Sequence, residues 1–270
     1  MQVNHCARCG RTLAEGPTGC PDCEPGSRPS SLAFPFRSLS IIIPAYNEAA
    51  RIGSTVRQIL EYASGRLAEF ELLVVDDGSQ DDTVRVVEDE AKSDPRVRVI
   101  RNPVNRGKGY SVRAGALQAR MEQVLFTDAD HSTPIEELQK LAAFASPTTL
   151  VIASRGLASS ELEIRQPWYR ETMGKTFNVI VQTLLVPGVH DTQCGLKLFG
   201  RQVVDAIFQA LETERWAFDV EVVARAIRLG FEVREVPVRW KNDERSRVHP
   251  IVDSSRMLLD VIRVWWKLRS

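Results

Sequence analysis

QVLFTDADHSTP, Gln123 to Pro134, is the stretch on which the fold turns. An apolar run ends at Thr127, and Asp128 and Asp130 follow with one small residue between them. A short apolar run bounded by turn residues reads as a buried strand. Two carboxylates at its end admit two explanations. One is a solvated turn in which Ser132 or Thr133 caps a helix opening after Pro134. The other is a metal site. Carboxylate oxygens suit Mg²⁺ or Mn²⁺, and Mg²⁺ characteristically takes one or two carboxylates plus substrate phosphates. His131 or Ser132 stands close enough in sequence to add a contact.

The pattern repeats outward from this stretch. LSIIIPA, ELLVVDD and RVRVI precede it and TLVIAS follows, all reading as strands. AARIGSTVRQILEYA, DDTVRVVEDEAKS, GYSVRAGALQARM and PIEELQKLAAFA carry apolar residues at helical spacing. Strand–helix alternation predicts an α/β fold with a mostly parallel sheet, and strands apolar throughout predict burial on both faces. Ligands bind such sheets at the carboxyl ends of the strands. The unusual polar residues collect there: PAYNE, DDGSQDDT, NPVNRGKG and DADHSTP. Asp76 and Asp77 close the second strand, while Asp81, Asp82 and Thr83 suit the start of the next helix. Gly107 and Gly109 flank Lys108, but NRGKGYSV matches neither G-x-x-x-x-G-K-[ST] nor G-x-G-x-x-G. Downstream, DTQCGLKLF and FEVREVPVRW read as strands. RQVVDAIFQAL, FDVEVVARAIRLG and PIVDSSRMLLDVIRVWWKLR read as helices, the last opened by Pro250.

The chain has 270 residues, enough for one large domain with or without a small appendage. Its formal net charge is zero, which argues against a bulk nucleic-acid binder. Thr176 to Val189 is apolar but contains Asn178, Gln182 and a Pro-Gly break, so it falls short of a membrane span. MQVNHCARCG lacks the apolar core of a signal peptide. A cytoplasmic protein, or one on a membrane face open to the cytoplasm, is expected. Cys6-x-x-Cys9 and Cys20-x-x-Cys23 have ligand spacing for one tetrahedral Zn²⁺ in a ribbon over residues 1–25. Four thiolates leave no open position, so the zinc is expected to be structural and the module to stabilise the protein or dock a protein partner. Residues 26–38 read as a linker, and the lone Cys194 as a small buried residue.

IIIPAYNEAARI, VVDDGSQDDT, NRGKG and the DAD triplet, in this order, resemble family 2 glycosyltransferases of the GT-A fold. DTQCGLKLF, ERWAFDVEVV and VPVRW resemble the dolichyl-phosphate glucosyltransferase branch and its polyprenyl-phosphate relatives, with dolichol-phosphate mannose synthases nearby. The resemblance covers about residues 39–250. It implies a Rossmann-like nucleotide-diphospho-sugar transferase domain, a divalent metal and inversion at the sugar carbon. UDP-glucose is the expected donor and a polyprenyl phosphate the expected acceptor, with GDP-mannose or a hydroxyl acceptor as alternatives. It further implies that Pro44, Tyr46 and Glu48 line the nucleoside pocket, with Asp76 on base or ribose and Lys108 near them. Asp128 would contact the donor and Asp130 the metal. Ser132 stands where the mannose synthases often carry Gln, which favours the glucosyl branch.

A hydroxyl acceptor must lose a proton, whereas a phosphate monoester, with its second pKa about 6, is already mostly ionised. Such an acceptor needs cations. Arg155, Arg165, Arg170, Lys175, Arg245 and Arg247 are the candidates; Arg155, Arg170 and Arg247 are taken as the acceptor-phosphate contacts, Arg155 and Arg247 being best placed by resemblance. Asp219 and Glu221 are the rival feature, as a base, as groups that orient Arg and Trp216, or as contacts to the donor sugar. In the last helix, residues 251–270, Leu258, Val261, Ile262, Trp265 and Leu268 stand at helical spacing among Arg256, Arg263, Lys267 and Arg269. That stripe suits either a membrane headgroup boundary or packing on the domain.

Overall fold

A computed structural model describes residues 34–164, 168–241 and 250–269. Cys6, Cys9, Cys20, Cys23, Arg165, Arg245 and Arg247 lie outside the described residues. The first half is the expected alternation: β1 (Ser38–Ala45), α1 (Ile52–Ser64), β2 (Glu69–Asp76), α2 (Thr83–Ser93), β3 (Val97–Arg101), α3 (Lys108–Gln118) and β4 (Gln123–Thr127). A 3₁₀ turn (Ile135–Glu137) and the short α4 (Leu138–Ala142) replace the longer helix expected over PIEELQKLAAFA. Then come β5 (Thr149–Ser154), β6 (Glu161–Ile164), α5 (Trp168–Leu184), β7 (Leu196–Gly200), α6 (Arg201–Ile207), α7 (Phe218–Arg228), β8 (Glu232–Pro237), β9 (Arg239–Lys241) and α8 (Pro250–Arg269). Arg170 and Lys175 fall within α5.

Seven strands form one sheet in the order β3-β2-β1-β4-β7-β5-β8, and only β7 runs antiparallel to its neighbours. β1 sits where the chain direction of the winding reverses, between β2 and β4, which opens a crevice at the carboxyl ends of those strands. β7 begins at that same edge. It therefore carries the 191–195 loop to the end of β4. β6 and β9 make a separate two-stranded sheet, joined to the same edge where the Lys241 N–H donates to Ser132 O at 2.9 Å.

Alternate strand residues supply two cores. Ile41, Ile43, Leu72, Val74, Leu125 and Leu198 face α1 and α4. Ile42, Leu73, Val75, Val124, Phe126 and Phe199 face α3, α6 and α7. Packed order starts inside the stretch read as linker: Phe34 and Phe36 stack at 5.2 Å, and Phe36 joins the first core.

α8 divides the apolar stripe read from sequence. Met257, Val261 and Val264 are buried, and the helix contacts α5 and α7. Leu259, Ile262 and Trp266, at i, i+3 and i+7, are 55%, 41% and 69% exposed. Val261 thus belongs to the domain and Ile262 to the outer surface.

Phe199 anchors β7 in the second core, edge-on to Phe208 at 5.3 Å. Phe199→Ala is expected to destabilise the domain by about 3–5 kcal/mol, in line with large-to-small core substitutions. Urea titration should find a lower midpoint with an unchanged slope.

Candidate active site

The site is built at the end of β4. Lys108 opens α3, and its Nζ lies 2.6 Å from Asp128 Oδ1, with the Phe126 and Trp216 rings at 5.0 and 5.4 Å. Burial opposes the ammonium charge, but Asp128, Asp219 and Asp130 outweigh it and hold the lysine pKa above its ordinary value. Burial and the neighbouring Asp128 push the Asp130 carboxyl upward, against the Ser132 N–H and Lys108. One Asp130 oxygen accepts that N–H at 2.9 Å.

Expected contacts of the DAD loop are redistributed. His131 takes positive φ, its Nδ1 pairs with Gln58 Oε1 at 2.8 Å, and its Nε2 accepts the Ile135 N–H at 3.2 Å. Both ring nitrogens are thus occupied in shaping the turn, and His131, not Ser132 or Thr133, satisfies the first N–H after Pro134.

Lys108 is held by its loop. The Asp77 carboxylate accepts the N–H groups of Arg106 and Gly107 at 3.1 and 2.7 Å and the Asn102 amide at 3.0 Å. A Cβ on Gly109 would lie 2.4 Å from Thr213 O and 2.5 Å from the Phe218 Cβ. The Tyr110 N–H donates to Glu214 O at 2.9 Å. The glycines around Lys108 therefore serve its close docking against residues 213–218.

Pro44 and Asp76 lie at the ends of β1 and β2, where Ala45 pairs with Asp76 in register, and Tyr46 and Glu48 follow directly after β1. Asp76 is buried and accepts the Ser79 N–H at 3.2 Å. Glu48 pairs with Arg51, and its N–H donates to Thr83 Oγ1 at 2.7 Å. Asp81 rather than Asp82 caps α2, through the Thr83 N–H at 3.0 Å. Asp82 instead pairs with Arg85.

Of the cation and base candidates, Arg155, Asp219 and Glu221 are each engaged by a partner. Arg155 is bound twice by its guanidinium and once by its N–H to Asp191, at 2.7, 2.9 and 2.9 Å. Burial opposes both charges, yet each holds the other ionised: Arg155 is pushed up and Asp191 down. Glu221 accepts the Thr213 N–H at 2.8 Å and Arg225 Nε at 2.7 Å, so it shapes the loop before Trp216. Asp219 pairs with Lys197. Four residues were missed from sequence: Asp77, Asp191, Gly195 and Lys197. Lys197 was findable, because a lysine inside the apolar LKLF strand requires a buried partner.

No cluster of three or more His, Cys, Asp or Glu side chains able to hold a metal occurs among the described residues. The donor set still fits a Mg²⁺- or Mn²⁺-type ion, which keeps most of its positions for phosphate oxygens and water. Asp130, whose ionised form is disfavoured by burial and by Asp128, is the residue such a cation would relieve.

The mostly parallel seven-stranded sheet with one reversed strand, and an acidic pair at its switch point, is the GT-A architecture of glycosyltransferases. The Glycosyl transferase family 2 profile matches residues 40–208. The chain belongs to that family and is a glycosyltransferase. The dolichyl-phosphate beta-glucosyltransferase of Dictyostelium discoideum is 33% identical over 252 residues, 86% of this chain and 77% of that protein. Its Homo sapiens counterpart is 34% identical over 248 residues, 87% and 76%. Mycobacterium tuberculosis glucosyl-3-phosphoglycerate synthase, solved with Mn²⁺, UDP and glucosyl-3-phosphoglycerate, superposes with a TM-score of 0.61 at 20% identity, covering 86% of this chain and 80% of that one.

Asp77→Ala would leave three buried or half-buried donors without their acceptor. A loss of about 1–3 kcal/mol is expected for unsatisfied groups of this kind, together with lower turnover as Lys108 is freed. Thermal melts and initial rates check both.

Proposed function

We propose that this glycosyltransferase moves glucose from UDP-glucose to a polyprenyl phosphate, with inversion and with a divalent metal. One observation carries the acceptor class. Around the end of β4, Asp128, Asp191, Asp219 and Glu221 each hold a cation: Lys108, Arg155, Lys197 and Arg225. A carboxylate whose oxygen is already engaged by a cation is poorly placed to take a proton from an acceptor, because a general base must itself reach that proton. An acceptor phosphate, ionised near neutral pH, needs none. The glucosyl donor and dolichyl-type acceptor are supported by the relatives' activity and by the Ser132 departure from the mannose pattern.

In this reading Pro44, Tyr46, Glu48 and Asp76 receive the nucleoside. Asp130 holds Mg²⁺ or Mn²⁺, which supplies charge neutralisation to the departing diphosphate. Asp128 faces the donor with its orientation set by Lys108. Arg155, already fixed by Asp191, presents its remaining guanidinium edge, and Arg170 and Arg247 add the acceptor's further cations. The four N-terminal cysteines hold a structural Zn²⁺ in a module that docks or stabilises.

No helix among the described residues is long and apolar enough to cross a membrane. We assign the route to a lipid substrate to α8, attached peripherally at the cytoplasmic face. Leu259, Ile262 and Trp266 are exposed on one stripe, among Arg256, Arg263, Lys267 and Arg269. Apolar side chains with flanking cations suit an anionic headgroup boundary.

A donor panel with Mn²⁺ tests the chemistry. UDP release from UDP-glucose should require a short polyprenyl phosphate, and the corresponding free alcohol should not replace it; GDP release from GDP-mannose would change the donor assignment. Asp130→Ala should abolish turnover, and retained turnover would remove its metal role. For the membrane, Leu259→Ser/Ile262→Ser/Trp266→Ser should lose at least tenfold in flotation with anionic vesicles while keeping its melting temperature. Unchanged flotation would reject this face.

A further inference from the structure

Lys197 and Asp219 form a charged pair with side chains only 1% and 4% exposed. Lys197 stands in β7 between Leu196 and Leu198, and its Nζ also donates to Cys194 O at 2.8 Å and lies 5.5 Å from the Phe126 ring. Buried ion pairs are weak devices for stability, since well-packed apolar residues of similar volume often replace them without loss. What this pair does hold is the carbonyl of Cys194, one residue before Gly195.

Gly195 is in direct contact with the candidate catalytic carboxylate. Its carbonyl accepts the Asp128 N–H at 3.0 Å. A Cβ at Gly195 would lie 2.0 Å from Asp128 Oδ2 and 2.5 Å from the Asp128 Cγ. One Asp128 oxygen thus rests against the Gly195 backbone while the other meets Lys108. The turn is fastened from its other side as well. The Gln193 N–H donates to Asp191 Oδ1 at 3.0 Å, and Thr133 Oγ1 lies 3.5 Å from Cys194 Sγ.

We infer that Lys197 and Asp219 are positioning residues for Asp128, acting through the Cys194–Gly195 turn, and that Asp219 is not the base of the reaction. The path is Asp219 to Lys197, Lys197 to the Cys194 carbonyl, and the adjoining Gly195 to Asp128. The reversed direction of β7 is what makes it possible, because it starts the strand at the edge where β4 ends. If the ammonium is removed, the turn loses its tether, and the Asp128 carboxylate loses the wall that aims it at Lys108.

The test replaces the pair by apolar residues in Lys197→Met/Asp219→Leu. The expected result is a melting temperature near that of the unaltered enzyme, with kcat down at least tenfold and KM for the polyprenyl phosphate little changed. A purely structural role would instead lower the melting temperature and leave kcat per folded molecule intact, which would overturn the proposal. Gly195→Ala keeps the ion pair and pushes directly on Asp128; it should reproduce the kcat loss, and turnover at the unaltered rate would also overturn it. A crystal structure of Gly195→Ala, or of the double variant, needs no substrate. It should show the Asp128 carboxylate moved beyond hydrogen-bond distance of Lys108 Nζ. An unmoved pair contradicts the inference whichever donor and acceptor the enzyme uses. Failure of the donor panel with the unaltered enzyme, beside a displaced Asp128 in the variants, would reject the proposed substrates and leave the positioning role standing.

Discussion

The contact between the Lys108 ammonium and the Asp128 carboxylate is the interaction around which the site is arranged. Two carboxylates separated by one residue repel, and burial makes each charge more costly. Asp130 registers both effects in its raised pKa. Lys108 offsets part of that cost, but it comes from α3, which packs on β1 and β2. It reaches the pair only because Asp77 gathers the backbone before it and because Gly109 lets the chain press against residues 213–218. A sheet whose winding reverses at β1 brings these segments together at one edge.

A second arrangement supports the first. Among the described residues, Asp128, Asp191, Asp219 and Glu221 are each paired with a cation, in pairs that fix loops rather than wait for substrate. Asp191 locks Arg155 and turns the chain into β7, while Glu221 ties the loop carrying Trp216. A rigid, pre-paired edge suits a transferase whose nucleophile arrives ionised. Binding then reduces to aligning two phosphate-bearing groups, and electrostatic preorganisation does not have to be assembled during the reaction.

Much of this was legible in the residues. The apolar runs with period-free burial predicted the parallel strands, and the loops PAYNE, DDGSQDDT, NRGKG and DADHSTP were read at one edge, where the structure puts them. What the residues did not disclose is long-range. Strand direction leaves no local mark, so the reversal of β7 was invisible, and with it the approach of Gly195 to Asp128. Asp77 was read only as closing the second strand with Asp76, since its partners lie 25–30 residues away in sequence. Asp219 and Glu221 looked alike on one helix turn, yet one faces Lys197 and the other Arg225. In α8, periodicity marked apolar positions without telling Val261, which enters the core, from Ile262, which does not.

The central claim is that the acidic pair after β4 grips a cation that steadies a departing diphosphate. Crystals soaked with UDP-glucose and Mn²⁺ test it most directly through the manganese anomalous signal. The account predicts a peak bridging an Asp130 carboxylate oxygen and the diphosphate, with Asp128 still against Lys108. A bound nucleotide whose metal lies elsewhere, with Asp130 turned away from it, would contradict it.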